Sequence, residues 1–180
     1  MIDKTRCFIA LDLPQEAIDE IKRIQYAIKE NTYFKGKFTE PKNLHLTLKF
    51  LGEIDTDKIN AVKQQLKEIQ LKPFEAELGE VSVFSKRHIR IIWIKLEGKV
   101  VELQKKVDEA LVGLFKPEQR FMSHITIARV KSINDNRALL DYLQNLSCKE
   151  IKFNVDRFLL KQSELFPEGP VYKDIEEYKL

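Results

Sequence analysis

Two short stretches decide how this chain reads: His45-Leu46-Thr47-Leu48 and His124-Ile125-Thr126-Ile127. In a β-strand, side chains at i and i+2 share a face while those at i+1 and i+3 point the other way. Each tetrad therefore sets a His and a Thr on one face and sends two aliphatics into a core. The two histidines lie 79 residues apart, as do Phe74 and Phe153. Between these markers each half runs strand, short polar turn, helix, strand, with no net insertion. Self-similarity of this kind marks an internal duplication. The expected architecture is α+β: a single bilobal domain over residues 1–180, with duplicated βαβ-type halves of roughly 1–86 and 87–180. Two antiparallel sheets would line a central cleft with helices outside, and strands are free to cross between lobes.

Working outward, Arg6 to Leu13 is β-rich and stops at Pro14, which suits the first turn of a helix. Ile18, Ile21, Ile24 and Ile28 recur at helical spacing from Gln15 to Glu30. Lys35 to Asn43 reads as a basic, Gly- and Pro-bearing loop. Leu44 to Leu51 reads as a strand ended by Gly52. Asp55 or Thr56 caps a helix through about Ile69. Phe74 to Phe84 and Arg90 to Leu96 are strands, and Lys99 to Phe115 is a second amphipathic helix. Phe121 to Val130 is a strand, Asp135 to Leu146 a helix, Ile151 to Leu160 a strand, and Gly169 to Leu180 an extended segment.

The composition narrows the function classes. In 180 residues, 43% are hydrophobic and 33% charged, enough for a core beneath a solvated surface. Six Gly and six Pro, scattered, exclude collagenous or linker-dominated chains. The net charge of +3 is too small for a protein that coats nucleic acid non-specifically, but it allows a local anion site. Cys7 and Cys148 are far apart and belong to no CxxC or Cys/His cluster, so neither a disulfide scaffold nor a zinc finger is expected. The apolar stretch from Cys7 to Leu11 is too short for an export signal, and nowhere do about eighteen apolar residues run together. A cytoplasmic, monomeric protein without a membrane segment is the expectation.

Two imidazoles and two hydroxyls converging on one pocket suit phosphoryl transfer without a metal. One neutral His takes a proton from a nucleophile while the other, protonated, gives one to the leaving oxygen. The Thr hydroxyls hydrogen-bond the non-bridging phosphate oxygens. A single strand His is more often a packed or surface residue, and Thr is common in strands. Two of three histidines followed by Thr at the same offset outweigh that reading. Neither tetrad contains a carboxylate or thiol at ligand spacing, so no metal or other cofactor is expected. His88 sits in a basic loop with Lys86 and Arg87 and reads as solvated, or as part of a guide for a nucleic-acid backbone. Arg129 and its first-half counterpart Phe50 each lie five residues beyond a tetrad histidine. Strict alternation puts both on the face opposite the histidines; a bulge would return them to the cleft rim, Arg129 for phosphate and Phe50 for stacking on a base.

These residues, at this separation and in a chain of this length, resemble the 2H phosphoesterase superfamily. Within it the chain is most similar to the RNA 2′,3′-cyclic phosphodiesterases, also called 2′-5′ RNA ligases. Phe8 to Pro14, Asn43 to Gly52, His124 to Val130, Ser163-Glu164-Leu165 and Pro167 to Tyr172 carry the resemblance, which spans nearly the whole chain. It implies metal-independent opening of an RNA-terminal 2′,3′-cyclic phosphate to a 2′-phosphate. It further implies His45 as proton donor to the departing 3′ oxygen and His124 as the acceptor that activates water. Thr47, Thr126 and Arg129 would then hold the phosphate and Phe50 stack against a base. The near-symmetric sequence does not itself say which histidine does which. The alternatives are a 2′-5′ ligase joining tRNA halves, or a binder of RNA ends without turnover. For a large RNA, Lys35, Lys37, Lys42, Lys86 and Arg87 are candidate groove contacts. The segment 163–172 reads either as a cleft wall or as turn chemistry around Pro167, Gly169 and Pro170.

Overall fold

The computed structural model describes residues 4–180. Its strands are β1 (Thr5–Asp12), β2 (Phe34–Phe38), β3 (His45–Ile54), β4 (Phe74–Val83), β5 (Ile91–Gly98), β6 (His124–Ile133), β7 (Lys152–Val155), β8 (Arg157–Phe166) and β9 (Gly169–Lys179). Its helices are α1 (Gln15–Glu30), α2 (Thr56–Lys67), α3 (Val100–Ala110) and α4 (Asn136–Asn145), with a 3-10 turn over Pro41–Asn43.

The strands run β7-β4-β5-β6-β3-β1-β8-β9, with β2 added beside β6, and every pairing is antiparallel. The two expected sheets are the two halves of this order, and they touch through one residue pair, Leu46↔Ile125. That contact joins the two tetrads. Both aliphatics are fully buried, while the flanking His and Thr of each tetrad are half-exposed on the opposite face. The antiparallel register puts His45 beside Thr126 and Thr47 beside His124.

Helix positions follow from the apolar stripes. On α1 the buried Ile21, Ile24 and Ile28 face the sheet, and α1 packs against β6. Asp55 caps α2 by accepting from the Lys58 amide at 2.8 Å, and Asp135 caps α4 by accepting from the Ala138 amide at 2.9 Å. α3 packs against both β3 and β5, bridging the seam from the core side. Across the described chain nearly all the buried aliphatics belong to one continuous core.

Three expectations are corrected. The segment 35–43 is not a loop throughout: its first residues form β2, an edge strand with Phe34 and Phe38 half-buried and Lys35 and Lys37 exposed. Gly36 there is required by packing, because a Cβ would collide with the Arg129 carbonyl oxygen. The stretch 151–160 is two strands rather than one. β7 pairs with β4 in one half of the sheet, and after Asp156 the chain crosses over so that β8 pairs with β1 in the other. Finally, α3 stops at Ala110, and Leu111 to Phe115 continue as turns from which Leu111, Leu114 and Phe115 still pack on the core.

Candidate active site

Two irregularities in the sheet build the site. Between β1 and β3, Ile9 pairs with Lys49 and Ala10 with Thr47, which leaves Leu48 as an extra residue on β3. Between β5 and β6, Ile92 pairs with Ala128 and Trp93 with Thr126, which leaves Ile127 extra on β6. A β-bulge places two consecutive residues on one face. Leu48 and Lys49 are accordingly both buried, as are Ile127 and Ala128. The next residue in each strand turns back to the histidine face. Strict alternation is thus broken twice at equivalent positions, and Phe50 (71% exposed) and Arg129 line the same cleft as the two tetrads.

The histidines are held alike. His45 Nδ1 lies 2.8 Å from the Asn43 carbonyl oxygen, and His124 Nδ1 lies 2.8 Å from the Met122 carbonyl oxygen. A carbonyl can only accept, so each Nδ1 carries the hydrogen and each Nε2 is left for chemistry. His45 Nε2 meets Thr47 Oγ1 at 3.0 Å. Phe8 and Tyr172 wall the His45 ring, each with centroids 5.1 Å away, and Phe84 meets the His124 ring edge-on at 4.9 Å. The cleft encloses about 790 Å³, room for a nucleotide.

A family model described as LigT like phosphoesterase matches residues 11–93 and 95–172. The chain belongs to the LigT-like phosphoesterase family. It is 34% identical to the RNA 2′,3′-cyclic phosphodiesterase of Methanothermobacter thermautotrophicus over 98% of this chain and all of that protein. It is also 34% identical to the protein of the same name from Methanocaldococcus jannaschii, over 96% and 99%. The fold superimposes on the crystal structure of TT0787 of Thermus thermophilus with a TM-score of 0.83, at 26% identity and 97% coverage of both chains.

In this LigT-like phosphoesterase the surroundings of His45 shift its ring's proton affinity. Burial holds the His45 imidazole below its ordinary range, opposed by the bond to Asn43 and by Asp12, and reinforced by Lys161 and His124. Lys161 is buried and donates to Asp12 at 3.0 Å and to Asp174 at 2.7 Å. These bonds outweigh its burial and keep the ammonium charged. Cys7 also borders the cleft, but burial pushes its thiol up to about 11, so it is not a thiolate nucleophile at neutral pH.

His45, His124, Thr47, Thr126, Arg129 and Phe50 all line the one cleft. Of the basic candidates only Lys37 joins them, bonding the Glu168 carbonyl across the cleft end. Lys42 borders a smaller neighbouring cavity and pairs with Glu40 at 3.1 Å. Lys35, Lys86, Arg87 and His88 are exposed and lie outside both cavities. The 163–172 segment supplies a cleft wall through Ser163, Leu165, Pro167, Gly169, Pro170 and Tyr172. Asn43 Nδ2 ties that wall down by donating to the Pro170 carbonyl at 3.0 Å. Sequence reasoning missed Arg6 and Thr39, which also line the cleft, and Gln25, whose buried amide donates to the Ile127 carbonyl at 2.9 Å behind it. For Gln25 there was a signal, a lone amide on the apolar stripe of α1.

Proposed function

We propose that the protein opens RNA-terminal 2′,3′-cyclic phosphates to 2′-phosphomonoesters by a two-histidine acid/base mechanism that needs no metal. The observation that carries this reading is the convergence of two Nδ1-anchored imidazoles, with Thr47 and Thr126, on one nucleotide-sized cleft. The names of its relatives, RNA 2′,3′-cyclic phosphodiesterases, supply the substrate. The reading treats the chain as one bilobal domain with halves at 1–86 and 87–180, acting as a monomer in the cytoplasm.

Water attacks phosphorus in line with the P–O3′ bond. His124 Nε2 takes the water proton as the new P–O bond forms. His45, protonated at Nε2, gives its proton to O3′ as that bond breaks, and the 2′-phosphate remains. Thr47, Thr126 and Arg129 hold the non-bridging oxygens, where charge must be balanced in the transition state. Phe50 offers its exposed ring to the terminal base. The lowered pKa of free His45 makes its protonated form scarce at neutrality, and an anionic phosphate in the cleft raises it again.

The test is turnover of a short RNA ending in a 2′,3′-cyclic phosphate, in the presence of chelator. Wild type should open the ring, and His45→Ala and His124→Ala should each lose most of the rate while retaining product binding. No turnover by folded wild type, with the variants acting on affinity alone, would identify a binder of RNA ends instead.

A further inference from the structure

The bulge that turns Arg129 into the cleft needs something to hold it. Flattening the bulge at Ile127, with all residues kept, would return β6 to strict alternation, and every side chain beyond Ile127 would change faces. Arg129 would then point toward the core side and Ala128 into the cleft.

Gln25 sits at this point. It lies on the buried stripe of α1 among Ile21, Ile24 and Ile28, and is itself only 8% exposed. Its Nε2 donates to the Ile127 carbonyl at 2.9 Å and to the Thr39 carbonyl at 2.8 Å. The same Ile127 carbonyl accepts from the Thr39 amide at 2.9 Å, and Thr39 Oγ1 donates to the Thr126 carbonyl at 2.8 Å. The bulged residue is therefore clamped from the helix and from the segment following β2. A buried amide amid aliphatics is costly unless its polar atoms are bonded. Here one hydrogen of the amide nitrogen goes to the carbonyl at the bend and the other to the Thr39 carbonyl beside it.

The first half reaches the same result by other chemistry. Lys49, the counterpart of Ala128, is turned inward by the Leu48 bulge and bonds Asp108 of α3 and the Lys116 carbonyl. Phe50 follows it into the cleft. Each bulge is thus fixed by a buried polar side chain, supplied by a different helix.

We propose that Gln25 is a positioning residue for Arg129: its amide fixes the Ile127 bulge, and the bulge aims the guanidinium at the phosphate. This rests on the phosphate-binding role given to Arg129 above.

The experiment measures binding of a nucleoside 2′-monophosphate, and of the same nucleoside without phosphate, to wild type, Gln25→Met, Arg129→Ala and the double variant. Methionine keeps the volume and removes the donors. Gln25→Met should weaken the monophosphate by about tenfold, the scale of a lost hydrogen bond to a charged group. It should leave the bare nucleoside unchanged and add no further loss to Arg129→Ala. With the cyclic substrate kcat/KM should fall, and again no further in the double variant than in Arg129→Ala. Should Gln25→Met not fold, Gln25→Asn serves the same test: it stays polar, but its amide retracts from both carbonyls. Equal losses for both ligands, or losses that multiply with Arg129→Ala, would reduce Gln25 to a structural residue and overturn the proposal. If Arg129→Ala binds monophosphate like wild type, the role of Arg129 itself fails. If Arg129→Ala weakens binding and neither Gln25 variant does, only the positioning role fails.

Discussion

Leu46 and Ile125 are antiparallel partners at the one place, among the described residues, where the two halves of the sheet meet. Each is the second residue of a His-x-Thr tetrad. The seam therefore crosses the two tetrads at their centres, and the His and Thr of one tetrad neighbour those of the other across a single strand pair. Both side chains are fully buried beneath that contact. Truncating either should cost about 2–5 kcal/mol of stability, measured by chemical denaturation. The loss should come with a drop in kcat at temperatures where the variant is still folded, because the pair also sets the spacing of the two imidazoles.

The histidines should behave as a unit. His45→Ala and His124→Ala should each lower kcat by about 10² to 10⁴, and the double variant should be little worse than the weaker single one. Steady-state kinetics on one cyclic-phosphate substrate decides this. Fully multiplicative losses would show that the two rings do not act in the same step.

His45 gives the pH dependence its sign. Its imidazole is held below the usual value of about 6.5 by burial. The unfolded chain therefore binds this proton more readily than the folded one. The resulting stability is fully present above about pH 6.5 and is lost as the pH falls toward the lower folded value. Urea midpoints at pH 7.5 and 5.5 should fall more for wild type than for His45→Gln. By NMR the His45 titration should lie below 6.5 in the free protein and move up when a nucleoside 2′-monophosphate is bound. The kcat/KM profile should be bell-shaped, because one imidazole must be neutral and the other charged. A flat profile from pH 5 to 9 would remove the two-histidine step.

The buried Lys49–Asp108 pair makes a different prediction. Burial alone would raise the Asp108 carboxyl. Bonds from Lys49, from the Glu118 amide at 2.8 Å and from Gln104 at 2.7 Å turn it below its ordinary value instead. Asp108→Ala leaves an ammonium buried without its partner and should cost about 3–5 kcal/mol. Lys49→Met combined with Asp108→Leu should recover most of that stability. A single-variant cost near zero would show that Lys49 escapes to solvent.

The tetrads were legible because period-two alternation is simple and because the duplication repeats it at a fixed offset. The long amphipathic α1 was legible through its isoleucine spacing. The bulges were not, since Leu48-Lys49 and Ile127-Ala128 look like ordinary strand residues. Their extra residue shows only when the partner strand is in place. β2 was hidden because Gly36 and Pro41 give turn signals, while its pairing with β6 is a long-range contact. The break at Asp156 was equally hidden: nothing local in Ile151 to Leu160 says that its two parts belong to different halves of the sheet. Phe50 and Arg129 thus rested on a conditional bulge in the sequence and became cleft residues only through the fold.

The direction of bond cleavage distinguishes the two-histidine reaction from its rivals. A short RNA ending in a 2′,3′-cyclic phosphate, incubated with the protein in chelator, should yield a 2′-phosphomonoester alone, and His124→Ala should form it about 10² to 10⁴ times more slowly. A 3′-phosphomonoester product, or full activity in His124→Ala, would contradict the account.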